Sequence, residues 1–522
     1  MRDAKEAVSF AEQRFQDQSV CLPLWQTIAE NFYPERSDFV ISHTNGSELA
    51  GGLASSYPIL IRRDLGNSFA AMLRDGQFFE IGTEEDNTDT MGKQWLDYVS
   101  NLQYKKMQHR SANFRRATKE GDHDYATFGQ TVLSVEPNKS RKGFLYRGWH
   151  LRDCAWWDGA DGQVAGLVRK WSPNIYELRD DFKEDELHPS VAKKLNDSKK
   201  MFDRSEMYHF DIPGYMWNDG EFAKWPWVSV WIDKLNVHLV RVTPKNQRTY
   251  IVPRFQTISG TPYAYSPATV VGLPDARTLQ AMTHTLLEAG ERAARPPLLA
   301  TENIIRGDAN LFSDGITFIS EDYDWRSGAP LEPIKSDKSG FPFGIEMAQS
   351  VIEVLQQAFY VDKIDLPEGR EMTAYEFRER MKQLRRQNLP LFAPLEHEYN
   401  GQLCELTFQI GLEYNMFGSP YDIPQSLRDK EVVFKFESPL TQSEEEQKVQ
   451  LFAQVSDMLA SAAQFDPDIH ANIDFDEALR DSVDGIGAPS KWLADVKLLQ
   501  ERRERAAQTR SEMAAAGEQV AA

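Results

Sequence analysis

PATVVGLPDARTLQAMTHTLLEAGERAARPPLL (267–299) and, beyond residue 342, FGIEMAQSVIEVLQQAFY (343–360) and VDKIDLPEGREMTAYEFRERMKQLRR (361–386) decide how this chain is organised. In the first stretch Leu279, Met282, Leu286, Leu287 and Ala294 recur on helical spacing, up to the pair Pro296-Pro297, which removes two backbone donors and stops the helix. In the second, Met347, Val351, Val354, Leu355, Ala358 and Phe359 form one stripe, on a helix roughly 27 Å long at 1.5 Å per residue. Residues 298–342 lose that period. They carry Gly328, Pro330, Pro333, Gly340 and Pro342 among short apolar runs such as ITFI (316–319), and read as a small α+β insertion. After the second helix, 361–371 is polar and has no stripe. Thr373-x-x-Glu376 is then a capping box that opens a third helix. Phe377, Met381 and Leu384 lie on one side of it, basic side chains surround the rest, and Pro390 and Pro394 kink it before it runs on to about Phe417.

Outward from this centre, the first 130 or so residues are mostly helical, with Phe15, Leu22, Trp25, Ile28, Ala29 and Phe32, then Leu65, Phe69 and Leu73, then Trp95, Val99 and Leu102 on helical spacing. From residue 130 the texture changes to short β-rich runs split by turn residues: 130–137, 143–151, 163–171, 225–233, 238–244 and 249–258. Residues 174–205, between them, are charged and read as helical. A second capping box, Ser443-x-x-Glu446, opens an amphipathic helix through Val449, Phe452, Val455 and Leu459, and two more helices near 474–484 and 490–510 follow. The expected fold class is α+β, predominantly helical.

Composition limits the function. Lys plus Arg number 59 against 79 Asp plus Glu, a formal charge of −20, which opposes a chain-wide basic surface that grips nucleic acid through its phosphates. Cys21, Cys154 and Cys404 are too few and too far apart for a disulfide framework or a CxxC zinc site. The opening MRDAKEAV is too polar for a secretory signal, and no run of about 18 apolar residues offers a membrane span.

Candidate chemistry is thin. Asp153, Asp158 and Asp161 in RDCAWWDGADG could gather on a hard cation, but their spacing is not that of an EF-hand, and Asp-Gly pairs between strand-like runs supply what a hairpin turn needs. His397 in EHEY lacks the HExxH pattern and reads as a surface or satisfied residue on a helix. Phosphate-cradling glycine loops and a GxSxG elbow are both missing. Glu84-Glu85 or Asp180-Asp181 could serve a glycosidase with tryptophans stacking sugar, yet Trp225, Trp227 and Trp231 alternate as packing residues of a strand. No catalytic residue, metal or cofactor is expected. The competing class is a DNA-processing enzyme with a metal-dependent carboxylate site, which needs clustered acids and a basic groove.

The order of elements resembles the core of phage portal proteins, and local strings sharpen the likeness to the head-to-tail connector (portal) family of short-tailed phages. FYPERSDF (32–39), LRDGQFFEIG (73–82) and ATFGQTVLSVEP (126–137) resemble its N-terminal pattern. YAYSPATVVGLPDARTLQ (263–280) and ARPPLL (294–299) resemble the segment entering its first stem helix. GREMTAYEFRERM (369–381), SPLTQSEEEQKVQ (438–450) and the run 472–506 resemble its later wing and crown segments.

The resemblance implies a homo-dodecameric ring at one capsid vertex of the virion, made in the host bacterial cytoplasm. Its parts would be wing (1–266), stem helix 1 (267–295), clip (296–342), stem helix 2 (343–360), tunnel loop (361–372), wing with the long kinked helix (373–437), crown (438–510) and tail (511–522). Double-stranded DNA would pass through the channel during packaging and ejection. The partners implied are the terminase large subunit, adaptor and tail proteins, and the major capsid and scaffolding proteins, with no membrane. Twelve copies at −20 each carry −240 formal charges, and a mostly acidic lining lets a polyanion slide. Lys363, Asp365, Glu368 and Arg370 are the tunnel-loop candidates; Lys363 and Arg370 either steer DNA in the lumen or make ordinary surface ion pairs. In the clip, Leu311, Phe312, Ile316, Phe318 and Trp325 are expected to gain burial from the neighbouring subunit, because so small an insertion builds little core alone. Arg378, Lys382, Arg385 and Arg386 on the wing helix form either a solvated face or inter-subunit ion pairs.

Overall fold

The computed structural model describes residues 1–300 except 2, 45, 75, 84–88 and 218–219, then 324, 326, 331–334, 340–361, 395–419, 423–428, 432–436 and a few single positions between 454 and 505. Helix and sheet are mixed. Helix α1 (Ala4–Ser19) starts where the Asp3 carboxylate accepts the Glu6 N–H at 2.8 Å. Helices α2 (Leu22–Phe32), α3 (Tyr57–Leu73), α4 (Thr90–Met107) and α5 (Phe114–Phe128) follow. Gly129 ends α5 at φ +75°, and a Cβ there would stand 2.5 Å from the Tyr265 backbone, so only glycine allows both the turn and the close approach.

The β-rich part forms two antiparallel sheets. Strands β2 (Val132–Pro137) and β3 (Phe144–Trp149) form a hairpin, joined by the short β9 (Tyr250–Ile251) in the order β3-β2-β9. The second sheet is a five-stranded meander of β4 (Cys154–Asp158), β5 (Val164–Trp171), β6 (Met207–Pro213), β7 (Trp227–Asp233) and β8 (His238–Lys245). The RDCAWWDGADG run is thus strand β4 and its turn. The segment expected to be helical at 174–205 holds two short helices, α6 (Ile175–Asp181) and α7 (Pro189–Leu195). The strand expected over 249–258 is cut to two residues, and Pro253, two positions beyond its end, has no N–H to give a ladder.

Strand β6 was not singled out by periodicity, yet it is central and buried on both faces. Tyr208, Phe210 and Ile212 pack in one cluster with Ala7, Val8, Ala11 and Phe15 of α1. His209 and Asp211 point the other way. His209 stacks on Trp231 with centroids 3.9 Å apart and bonds Tyr250 Oη and Ser229 Oγ, while Asp211 accepts the Thr249 and Tyr250 N–H groups. Both polar side chains that β6 turns inward are therefore satisfied.

The largest core joins α2–α5, β2, β3 and β9 with helix α10 (Gln402–Glu413). Gln103 Nε2 donates to the Cys404 carbonyl at 2.9 Å, and Tyr146 Oη lies 2.8 Å from Thr407 Oγ1. Strand β1 (Phe79–Thr83) pairs antiparallel with β12 (Val432–Phe436). Out of this body rises a helical hairpin of α8 (Leu273–Ala294) and α9 (Gly340–Ala358), whose far end is tied by β10 (Leu298–Ala300) on β11 (Leu331–Pro333).

Candidate assembly surface

The hairpin is rooted by close packing. A π-helical turn, Ala268–Gly272, leads into α8; Ser266 Oγ donates to the Thr127 carbonyl at 2.6 Å. A Cβ on Gly272 would lie 2.9 Å from Phe359 Cε2 and 3.1 Å from Phe32 Cζ, and those two rings sit 5.3 Å apart. Leu273, Ala276 and Leu279 enter the main core, and Gln280 exchanges two hydrogen bonds with the Ser55 backbone at 2.7 and 2.8 Å. Beyond that clamp α8 leaves the body.

A polar cluster under the root holds the helices in place. Three successive residues of α5 each take an arginine from elsewhere: Asp122 bonds Arg74 Nη1 at 2.8 Å through both oxygens, His123 Nδ1 lies 3.1 Å from Arg62 Nη1, and Asp124 takes Arg36 at 2.7 and 3.1 Å. Arg74 also donates to Asn400 Oδ1 at 2.8 Å and lies over the Tyr399 ring, which ties in the π-helical segment Leu395–Gly401. Burial raises the Asp122 carboxyl, and Arg74 opposes that rise. Burial, then Arg62, lowers His123 to about 4, which keeps the imidazole neutral near pH 7. Sequence reading missed this cluster. Its signal, GDHDY (121–125), resembles an exposed acidic turn until the whole of 121–128 is seen to be buried.

Above the root the hairpin is apolar and uncovered. Leu355 is the buried residue of α9, and Phe343, Ile345 and Leu287 are 65%, 61% and 59% exposed. Met347, Val354, Leu298, Leu299 and Ile334 add to the exposed apolar area. α9 has only Glu346 and Glu353 as charged residues among its nineteen. Such a helix is poorly suited to water on three sides, and a contiguous exposed apolar patch marks a surface that meets another protein.

The residues singled out for chemistry disperse. Asp158 is held by Arg254 at 2.9 Å, Asp153 lies beside Arg152, and Asp161 accepts the Gln163 N–H within the β4–β5 turn, where Gly162 has φ +75°. His397 is exposed, and Trp231 packs against His209. Asp180 pairs with Lys139 on the surface. Among the described residues no three His, Cys, Asp or Glu side chains form a metal-binding group, and no helix is long and apolar enough to cross a membrane. The clip candidates Leu311, Phe312, Ile316, Phe318 and Trp325, the tunnel-loop candidates Lys363, Asp365, Glu368 and Arg370, and the wing-helix candidates Arg378, Lys382, Arg385 and Arg386 all lie outside the described residues, as does Glu84-Glu85.

No curated protein matches the chain. Among solved structures, it is similar at 11% identity to the virion of a native gene transfer agent particle, over 77% of this chain and 86% of that one, with a TM-score of 0.35. It is likewise similar at 11% identity to the neck of an empty gene transfer agent particle, over 84% of this chain and 92% of that one, with a TM-score of 0.39. The model of the family described as bacteriophage head to tail connecting protein matches residues 4–514, nearly the full length. The chain therefore belongs to the bacteriophage head-to-tail connecting protein family.

Proposed function

We propose that copies of this chain stand side by side around an open axis, with the α8–α9 hairpins as the stem of a connector ring at one capsid vertex. The observation that carries this reading is the uncovered apolar length of the hairpin, which a neighbouring copy would bury. In this reading the ring is a dodecamer, the insertion after α8 is the clip that docks the terminase large subunit and later adaptor or tail proteins, and residues 361–372 are the tunnel loop. Double-stranded DNA would pass through the channel during packaging and ejection without sequence-specific contacts. A net charge of −20 per copy supports a passage that releases a polyanion rather than one that holds it. Lys363 and Arg370 would supply local steering, with Asp365 and Glu368 beside them.

Negative-stain imaging and mass measurement of the purified chain test the assembly, with scaffolding protein present and absent. Rings with a central hole support it; compact single particles under every condition overturn it. For the loop, K363A/R370A is expected to lower packaging or DNA retention, and unchanged values remove the steering role. Mg²⁺-dependent cleavage of duplex DNA by isolated monomers would favour the enzyme class instead.

A further inference from the structure

We infer that the outward faces of α8 and α9 are the two halves of one heterologous contact between copies, set in register by Arg277 against Glu353 and His284 against Glu346. The inference rests on the side-by-side reading above and adds to it which residues meet.

Each helix of the hairpin has an inner face turned to its partner and an outer face turned away. On α8 the inner positions Ala276 and Leu279 are buried, and Arg277, Ala281 and His284 are exposed. On α9 Leu355 is buried and Phe359 just beyond it packs on Phe32, whereas Glu346, Gln349 and Glu353 are exposed along an open groove of about 740 Å³. Arg277 and His284 are seven residues apart, as are Glu346 and Glu353, which is two helical turns or about 10 Å. Arg277 and His284 lie on the α8 edge of the hairpin, which also carries Glu288 and Glu291 toward its far end, and Glu346 and Glu353 lie on the α9 edge. Among the described residues, Arg277, Glu346 and Glu353 have no ion-pair partner within the chain, and His284 has only Glu288 of its own helix, at 3.5 Å.

The register follows from the hairpin itself. A Cβ on Gly344 would stand 3.0 Å from Leu286 Cδ2, so residues 286 and 344 share a level. The helices run antiparallel with equal rise, so nine residues back from 286 to Arg277 match nine forward from 344 to Glu353. Two back to His284 match two forward to Glu346. A closed ring is generated by rotation alone, which keeps every residue at its level. The α8 of the next copy therefore presents Arg277 to Glu353 and His284 to Glu346. A two-fold pairing of α9 on α9 would instead oppose Glu346 and Glu353 to their own copies, and like charges reject it.

Two experiments on the full chain test this. In the first, Ala281→Cys with Gln349→Cys, five residues from 286 and 344 on the same level, is oxidised and run without reductant. A covalent ladder of subunits is expected, absent from wild type and from Ala281→Cys with Pro342→Cys, which is offset by two turns. In the second, Glu353→Arg and Arg277→Glu are each expected to raise the concentration at half assembly about fivefold, the scale of one exposed pair per interface, and the double reversal restores it. Rings that form but cross-link through 342, or not at all, overturn the register and leave the ring standing. Absence of both rings and ladder overturns the ring reading and the register with it.

Discussion

Breaking the ion pair beneath the hairpin root should be far costlier than removing it whole. The Arg74 and Asp122 side chains are 5% and 1% exposed, and one guanidinium nitrogen lies 2.8 Å from both carboxylate oxygens. Asp122→Leu alone leaves Arg74 charged in a place water does not reach, with the Asn400 hydrogen bond and the Tyr399 ring as its remaining partners, a loss of about 3–5 kcal/mol. Replacing both partners, as Arg74→Met with Asp122→Leu, removes the two desolvation penalties together with the attraction, and is expected to cost about 0–2 kcal/mol. The coupling between the positions is then at least about 2 kcal/mol. Urea unfolding followed by tryptophan fluorescence measures it, in an Ile345→Lys background that keeps assembly from adding to apparent stability. A single-variant loss below about 1 kcal/mol, or losses that simply add, would refute the reasoning.

The Ile345→Lys change itself is expected to abolish rings while moving protomer stability by no more than about 0.5 kcal/mol, because Ile345 is exposed in the single chain; sedimentation and thermal melts check both. Acid should destabilise the body through its buried histidines. His123 and His150 are lowered to about 4 and about 3, mainly by burial, so the neutral-imidazole contribution is complete above pH 6.5 and is lost as pH falls below it. Enclosed His150 accounts for about 2 kcal/mol between pH 6.5 and pH 5, and less enclosed His123 for less, read as the shift of the urea midpoint with pH. Thiol labelling of the native chain should modify Cys21 first, since Cys154 and Cys404 are buried and burial pushes their thiols up; equal rates for all three would contradict the core described here.

The hairpin was legible because its information is local: an apolar stripe at helical spacing, stopped by Pro296-Pro297, needs no distant partner to be read. The structure starts α9 at Gly340, slightly before the stripe, since Pro342 is tolerated in a first helical turn. The β4–β5 hairpin was legible for a similar reason, its turn being written in Asp-Gly pairs at 158–162. What escaped was polar burial. His209 and Asp211 interrupt the apolar pattern of β6, and Asp122, His123 and Asp124 that of α5, and the partners that satisfy them come from residues far along the chain. The facing of Arg277 and Glu353 needs the hairpin register, which no periodicity contains.

The pairing of β1 with β12 also sets a timetable for synthesis. Strand β1 leaves the ribosome about 350 residues before its partner, an interval of about 17–70 s at bacterial or slower elongation rates. Throughout it, Phe79 and Ile81 lack the strand that completes their layer, and the nascent chain exposes the uncovered α8–α9 hairpin before the body beneath has closed. A chaperone that shields the hairpin until β12 emerges would keep neighbouring nascent chains from joining too early.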